Sequence, residues 1–195
     1  MAAVGPALGP SSTDTPTLAE KRRLAVAAAN LVSDGQTIAV GSGSTTLELA
    51  RQLVNRTQLT VISNSLDVAQ VLLDREGIEL ILLGGIVRPQ MHSLIGHLTE
   101  QACQQLRADT LFMGIAAISL ERGLMNDYMP EILTDRMLRT MATKVVVVAD
   151  SSKFDRVASA LVFGLDEVDV VVTGGGVRAE IVTELEARDI RVVIA

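Results

Sequence analysis

The sequence predicts an α/β domain built on a mostly parallel sheet, and two patterns support this fold class. Short runs made almost entirely of Val, Ile and Leu recur along the 195-residue chain, and such runs are typical of strands covered on both faces. Amphipathic stretches with helical spacing separate the runs, and this strand–helix alternation favours parallel pairing. The predicted strands are 37–40, 59–62, 78–83, 110–113, 144–149, 168–172 and 190–194.

The predicted helices follow from the spacing of apolar residues. The first begins at Leu18, and Leu24, Ala28 and Leu31 share one of its faces. The basic run Lys21-Arg22-Arg23 is predicted to form its solvated face. Further helical patterns cover 45–55, 65–76, 96–107, 131–142 and 177–188.

Two segments fall outside this alternation. Residues 1–16 are rich in Ala, Gly, Pro, Ser and Thr without periodicity, which is typical of a disordered tail, a linker or a tag remnant. The folded domain is therefore predicted to span 17–195. Residues 114–130 also lack clear periodicity, and they fit a lid or wall of a binding site as well as a plain surface loop.

The composition excludes several classes of function. Lys and Arg number 17 against 23 Asp and Glu, so the net charge of −6 repels a nucleic-acid backbone. One Tyr and three Phe are too few for a platform that stacks single-stranded bases. The only cysteine, Cys103, excludes an internal disulfide and fits a reducing compartment. No secretory leader or membrane-length apolar run is visible, so a cytoplasmic location without membrane contact is expected.

The strongest local signal for a binding site is the segment 41–46, which directly follows a predicted strand and directly precedes a predicted helix. Its two glycines allow backbone N–H groups to converge, and its hydroxyls add donors beside a helix N-terminus. This combination predicts a phosphate site, although the segment matches neither GxxxxGK[ST] nor GxGxxG. The alternative is a tight turn in which Thr45 caps the helix and Glu48 completes a capping box. The candidate phosphate ligands are Ser42, Gly43, Ser44, Thr45 and Thr46.

Polar loops follow three other predicted strands, at Ser63-Asn64-Ser65, Gly84-Gly85 and Asp150-Ser151-Ser152-Lys153. Each loop alone is ordinary, because Ser65 fits a helix cap, the glycines fit a turn and Lys153 fits a solvated surface. In an open parallel sheet, however, loops at the carboxyl ends of neighbouring strands gather over one crevice. Together they predict a small, hydroxylated and phosphorylated ligand, with Lys153 as its cationic partner.

Three carboxylates are candidates for proton transfer. Glu131 and Asp135 are four residues apart on one helical face, and Asp127 precedes the helix. Acidic residues near a helix N-terminus also simply favour its dipole, and no nucleophile or histidine completes a catalytic set. His92 and His97 lack a second ligand at metal spacing. The sequence therefore predicts no catalytic residue, no metal site and no cofactor.

A series of short motifs runs in order along the chain from about Lys21 to Gly174. The motifs are Asp34-Gly35-Gln36-Thr37-Ile38, Gly43-Ser44-Thr45-Thr46, Val61-Ile62-Ser63-Asn64-Ser65, Leu83-Gly84-Gly85, Ser93-Leu94-Ile95-Gly96, Arg107-Ala108-Asp109 with Gly114, Arg122-Gly123-Leu124, Glu131 and Ala149-Asp150-Ser151-Ser152-Lys153-Phe154. In this order they resemble the effector-binding C-terminal domain of DeoR-family bacterial transcription regulators.

The resemblance implies a three-layer α/β/α fold with a mostly parallel sheet, similar to ribose-5-phosphate isomerase, glucosamine-6-phosphate deaminase and CoA transferases. It implies a non-catalytic sensor of a phosphorylated sugar or related metabolite, whose binding alters repression, usually within a homo-oligomer. By matching position, the implied phosphate contacts are Ser42, Gly43, Ser44, Thr45 and Thr46, and the implied sugar contacts are Asn64, Gly84, Gly85 and Lys153.

The chain departs from the family pattern at several positions. The family usually has Asp at the position of Gly41 and Thr at that of Ser44, so this loop is closer to the related enzymes. A basic residue is common where Asp135 stands. The family also carries an N-terminal winged-helix domain of roughly fifty residues, which residues 1–16 cannot hold. DNA binding is therefore expected only through a separate domain not present in this chain.

Two alternatives to a sensor remain open at this point. A sugar-phosphate isomerase or deaminase would use Glu131 or Asp127 as base, with Lys153 polarising the developing oxyanion. A purely structural oligomerisation domain would bind no ligand at all.

Overall fold

The centre of the fold is a seven-stranded parallel sheet, seen in a computed structural model that describes residues 17–195. The segment 1–16, predicted as a tail or linker, lies outside the described residues. In chain order the elements are α1 (Leu18–Ala29), β1 (Thr37–Val40), α2 (Ser44–Leu53), β2 (Leu59–Ser63), α3 (Leu66–Leu72), β3 (Ile78–Leu82), β4 (Ile86–Arg88), β5 (Ser93–Ile95), α4 (His97–Gln105), β6 (Ala108–Met113), β7 (Ala117–Ser119), β8 (Gly123–Asn126), α5 (Met129–Met141), β9 (Ala142–Val148), β10 (Ala160–Phe163), β11 (Val170–Thr173), α6 (Ala179–Glu186) and β12 (Arg191–Ile194).

The main sheet has the strand order β12-β11-β9-β6-β1-β2-β3, and all neighbouring strands pair in parallel. Each of its strands overlaps one of the predicted apolar runs, so these predictions are confirmed. The observed bounds differ from the predicted ones by at most two residues, at the starts of β6, β9 and β11. Between residues 17 and 195, no helix is long and apolar enough to cross a bilayer.

Helices cover both faces of the sheet, which explains why its strands are rich in Val, Ile and Leu. Ile38 and Val40 of β1 pack in one core with residues of α1, α2 and α3, including Leu24. Ala39, between them, packs in a second core with residues of α4, α5 and α6, including Leu138. The alternation follows from the period of two along a strand. The three-layer α/β/α arrangement is therefore confirmed.

Two smaller sheets were not predicted. The segment 114–130 contains β7 and β8, which form an antiparallel sheet with β10 in the order β10-β8-β7, and β4 pairs with β5 in a two-stranded ribbon. These strands have only three or four residues, too few to show a period of two in the sequence. Gly123 opens β8 with φ of +106°, and a Cβ there would lie 2.5 Å from the carbonyl oxygen of Phe163.

The order of the strands determines where a ligand can enter. From β1 the chain moves outward through β2 to β3 and then returns to the other side of β1 to form β6. At such a reversal, the connections leave in opposite directions, so a crevice opens at the carboxyl ends of the two central strands. The segments after β1, β6 and β9 meet at this edge.

The adjacent residues Gly84 and Gly85 give a matched test of backbone packing. Gly85 has φ of +145°, and a Cβ there would lie 2.8 Å from the carbonyl oxygen of Ile95 and would also overlap the Thr99 hydroxyl. Nothing lies within 4 Å of a Cβ built on Gly84. We expect Gly85→Ala to lower the free energy of unfolding by roughly 1–3 kcal/mol and Gly84→Ala to change it by less than about 0.5 kcal/mol, as measured by urea unfolding. Equal losses in the two variants would contradict this account.

Candidate functional site

A cavity of about 320 Å³ lies at the carboxyl ends of β1, β6 and β9. Residues 41–45, 113–116 and 148–150 form its walls at the ends of these strands. The first half of α5 adds Glu131 and Asp135. The volume falls within the range of roughly 300–1,000 Å³ that small-molecule sites occupy. The cavity is thus at the position where the strand order predicts a ligand.

The segment 42–45 leads from β1 into α2 and presents its residues to the cavity. Gly43 precedes the helix with φ of +137°, a conformation that favours glycine, and no side chain caps the helix there. The first amides of α2 therefore lack intrahelical partners. Ser44 and Thr45 belong to this first turn and line the cavity beside the free amides.

The capping box that was the alternative to a phosphate site is not formed at the start of α2. Thr45 lies inside the helix, and Gly43 occupies the cap position. The buried Glu48 carboxylate instead pairs with Arg51 and, at 3.4 Å, with Arg22. Thr46 is fully buried, and its hydroxyl donates to the Gly43 carbonyl at 2.9 Å. The structure therefore places Thr46 behind the loop, where it holds the backbone turn.

Four cationic side chains line the cavity, namely Lys21, Arg88, Lys153 and Arg156. Burial lowers the pKa of Lys153; Asp150 opposes this shift, and the positive charges of Arg156 and Lys21 add to it. Like charges are therefore gathered beside the loop, and an anion bound there would relieve their repulsion. Only Lys153 was predicted as a cationic partner, and Lys21 was expected to be solvated.

Glu131 is a buried carboxylate that joins four segments around the cavity. Its Oε1 accepts from the hydroxyls of Ser93 at 3.3 Å and Ser42 at 3.5 Å. Its Oε2 accepts from the Asn126 amide at 3.4 Å and from the Arg88 guanidinium. Both oxygens are therefore engaged by donors from the protein, which is more than the favourable helix-dipole contact that the sequence suggested.

Asp135 lies one turn further along α5 and also faces the cavity, with only 9% of its surface exposed. Burial raises the pKa of this carboxyl, and the negative charge of Glu131 raises it further. A hydrogen bond from Asn126 and the charge of Arg88 oppose these effects in part. The environment therefore disfavours the ionised form of Asp135.

Asp127, the third predicted acid/base candidate, does not line the cavity. Its Oδ1 accepts from the backbone N–H of Ser159 at 2.8 Å and from the Ser159 hydroxyl at 2.7 Å. These two hydrogen bonds lower the pKa of Asp127. The structure thus gives this exposed side chain a role in joining the loop before α5 to the start of β10.

The structure also separates three of the predicted sugar contacts from the cavity walls. Asn64 is fully buried, and its side-chain amide donates to the Leu94 carbonyl at 3.2 Å. The Gly84 carbonyl accepts from the Thr99 hydroxyl at 2.6 Å, and Gly85 packs against the same side chain. These residues follow β2 and β3, which lie further from the reversal of strand order than β1 does. Contact of Asn64, Gly84 and Gly85 with a ligand stays a prediction.

Solved structures define the class of fold. Ribose 5-phosphate isomerase A from Methanocaldococcus jannaschii aligns over 69% of this chain and 53% of its own, with a TM-score of 0.51 and 23% identity. The eIF2B beta subunit from Chaetomium thermophilum aligns over 78% and 47%, with a TM-score of 0.55 and 14% identity. At these identities the likeness shows the fold alone, an α/β fold that an isomerase and a translation factor share.

Sequence comparisons then identify the family. The family model described as the DeoR C terminal sensor domain matches residues 17–175, and this chain belongs to that family. The putative aga operon transcriptional repressor of Escherichia coli O157:H7 is 34% identical over 191 residues, 97% of this chain and 71% of the relative. The transcriptional repressor AccR of Agrobacterium fabrum is 34% identical over 166 residues, 85% and 64%. This chain therefore spans about two thirds of the length of these repressors.

The raised pKa of Asp135 gives a prediction about stability. The native state holds the proton of this carboxyl to a higher pH than the unfolded chain does, so stability falls as pH rises above the ordinary value of about 3.9. Asp135→Asn removes this loss. We therefore expect the variant to gain free energy of unfolding relative to the wild type between pH 4.5 and 7.5, measured by urea unfolding.

The control is Asp127→Asn, because the pKa of this carboxyl is shifted in the opposite direction. The pKa of Asp127 is lowered by Ser159, so its stabilising contribution is present at neutral pH and is lost as pH falls towards the folded value. Relative to the wild type, this variant should be destabilised to about the same extent at pH 4.5 and pH 7.5, and the deficit should shrink only below about pH 4, where the carboxyl takes up its proton. A relative loss in Asp135→Asn between pH 4.5 and 7.5 would contradict a raised pKa of Asp135.

Proposed function

We propose that this chain is the ligand-sensing part of a bacterial transcription regulator and that its ligand is a phosphorylated sugar or a related metabolite. One observation carries the proposal. The loop at 42–45, with its hydroxyls and its free helix amides, shares a cavity with four cationic side chains. This is the chemistry that a phosphate group requires.

The proposed phosphate position lies at the start of α2. Ser44 and Thr45 offer hydroxyl donors, the helix end adds positive partial charge, and Lys153 approaches from the loop after β9. A phosphate dianion there would offset the repulsion among Lys153, Lys21 and Arg156. The phosphate site is thus supported by both hydrogen bonding and charge.

The remaining walls of the cavity suit the polar, hydroxylated part of a ligand. Asn126, Glu131 and Asp135 supply side-chain oxygens and an amide group, and Arg88 supplies further donors. These groups lie in the same cavity as the proposed phosphate position, so a molecule that joins a phosphate to several hydroxyl groups would meet both sets. A sugar phosphate has this pattern.

The regulatory role rests on the relatives. Those matched include transcriptional repressors, one of which is the glycerol-3-phosphate regulon repressor of Escherichia coli, 32% identical over 176 residues. The net charge of −6 disfavours direct contact between this chain and DNA. We therefore propose that ligand binding changes the DNA affinity of a separate DNA-binding domain of the regulator, within a homo-oligomer.

A non-catalytic role fits the state of the carboxylates better than an isomerase or deaminase does. The oxygens of Glu131 are already engaged by donors from the protein, and Asp127 is outside the cavity. A general base needs a free oxygen within hydrogen-bond reach of the proton that it removes. Neither of the two bases considered in the enzyme alternative meets this requirement.

The proposed ligand class can be tested by thermal unfolding of the 195-residue chain. Probes are ribose 5-phosphate, glucose 6-phosphate, glucosamine 6-phosphate and glycerol 3-phosphate, each beside its unphosphorylated form. A ligand at about 100 times its Kd adds roughly 2.7 kcal/mol of stability, so at least one phosphorylated probe should raise Tm clearly. Equal stabilisation by the free sugar would contradict a phosphate site, and no response to any probe would favour the structural alternative.

The phosphate loop is tested by Ser44→Ala and Thr45→Val. Each removes one hydroxyl donor to a charged group, so the affinity for the stabilising phosphate should fall about 10- to 100-fold. Thr183→Val is the matched control, because Thr183 is exposed on α6 and does not line the cavity. The control should bind like the wild type. Unchanged affinity in both loop variants would exclude a role for these hydroxyls.

A direct assay separates a sensor from an enzyme. We expect no aldose–ketose conversion of ribose 5-phosphate and no release of ammonia from glucosamine 6-phosphate, followed by chromatography and a coupled ammonia assay. Enzymes commonly turn over about 1–1,000 times per second, so prolonged incubation makes the comparison sensitive. Sustained turnover that disappears in Glu131→Gln would overturn the non-catalytic proposal.

A further inference from the structure

The helices α4 and α5 lie side by side over one face of the main sheet. Cys103 of α4 and Leu138 of α5 are buried in the same core, and the Gly96 N–H before α4 donates to the Thr134 hydroxyl of α5 at 3.2 Å. Two neighbouring helices of one layer bury the sides that face the sheet and expose the sides that face away from it. The exposed sides of α4 and α5 therefore form one surface.

Exposed apolar side chains extend across this surface and onto the strands at its borders. Arg136 of α5 donates to the carbonyls of Leu161 and Val162, each at 2.7 Å, which holds β10 beside α5. On the side of α4, a Cβ on Gly96 would lie 3.6 Å from Cδ1 of Ile86 in β4. The exposed apolar residues of the two helices and these strands include Ile86, Leu98, Met129, Leu133 and Leu161.

The same surface carries almost no charge. Within 97–105 and 129–141, Arg136 is the only charged residue that is exposed, with histidine neutral, and its guanidinium is engaged by the two carbonyls of β10. Other outer helices differ, because α1 exposes Arg22 and Arg23 and α6 exposes Glu180 and Glu184. Exposed apolar residues with few charges are typical of the centre of a protein–protein interface. We term the exposed sides of α4 and α5, together with Ile86 and Leu161, the uncharged face.

We infer that the uncharged face binds a second copy of this chain. In a two-fold contact the same patch of both copies meets, so the patch must be complementary to itself. A face with almost no charge meets this condition, whereas the acidic side of α6 would meet an equally acidic copy. Two chains with a net charge of −6 repel one another, and contact through the uncharged face adds few close like-charge pairs to this repulsion. A strongly charged partner would gain little here, because Arg136 is the only charge that this face offers.

The uncharged face is large enough for a stable contact. Because α5 has 13 residues, it is about 20 Å long. Two helices of about 10 Å diameter, with one strand on either side, give a width of roughly 30 Å. The area is then on the order of 600 Å² per copy, or about 1,200 Å² in total, and a specific interface needs roughly 1,000 Å². The homo-oligomer suggested for the proposed sensor would form through this contact.

Sedimentation equilibrium of the 195-residue chain tests the association. At protein concentrations from about 1 to 100 μM we expect a species of at least twice the 20.7 kDa mass of one chain. Neither Leu98 nor Leu133 lines the cavity, so the association should not require a ligand. A monomer over the whole range of concentration would overturn the inference.

Leu133→Glu and Leu98→Glu test the assignment to this face. Each places like charges on the facing surfaces of both copies, so each should raise the dissociation constant at least about 10-fold. The two side chains are 46% and 65% exposed, so the replacements leave the core of each chain intact, which urea unfolding checks. The two residues lie on different helices, and either variant decides the outcome if the other is unstable.

Leu73→Glu is the matched control. Leu73 is 70% exposed and directly follows α3, which covers the other face of the main sheet. This variant adds the same charge outside the uncharged face, and it should associate like the wild type.

The outcomes separate this inference from the proposed ligand class. Association that persists in the folded variants at Leu98 and Leu133 would overturn the assignment to the uncharged face. An equal loss in Leu73→Glu would also overturn it, because the effect would then follow from added charge at any position. A monomeric chain that binds a sugar phosphate would leave the proposed ligand class intact, and a chain that associates but binds no sugar phosphate would leave this inference intact.

Discussion

The arrangement of the cavity depends on one buried carboxylate, that of Glu131. Its oxygens accept hydrogen bonds from Ser42 after β1, Arg88 at the end of β4, Ser93 in β5 and Asn126 at the end of β8. Arg88 and Ser93 are paired across the β4–β5 ribbon, whereas Ser42 and Asn126 follow strands of two other sheets that do not pair with this ribbon. A buried charge that is bound from several sides is favourable only when the donors keep their positions. Glu131 therefore links the shape of the cavity to the packing of α5 against the sheet.

The same physical constraint explains why polar groups gather at this edge of the molecule. The strands of the main sheet are buried on both faces, and the interior beside them contains few polar side chains. Charged groups are costly there unless they are paired. The crevice at the reversal of strand order is open to water, so Lys21, Lys153 and Arg156 can lie close together without full desolvation. The fold thus allows positive side chains to lie close together in this crevice, where an anionic ligand could balance their charge.

The sequence predicted the main sheet of the molecule better than the residues that line its cavity. The main strands were found because runs such as 145–149 are apolar throughout, a direct result of burial on two faces. The loop at 42–45 was found because glycines and hydroxyls lie together in the chain. Arg88 and Arg156 were missed because they reach the cavity from a short ribbon and an irregular loop. Lys21 was expected to be solvated, since the packing of α1 beside the cavity is a long-range contact that local periodicity does not show.

In the proposed sensor, the positions of the cavity walls suggest how a binding signal leaves the site. Lys21 lies in the first turns of α1, the helix that begins directly after the start of the described residues. A ligand can shift a conformational equilibrium only by the difference between its affinities for the two states, and couplings of about 1–3 kcal/mol are typical. One charge-assisted contact made in a single state is of that size. A phosphate that binds Lys21 would therefore couple the cavity to α1, which packs against α2 and the main sheet.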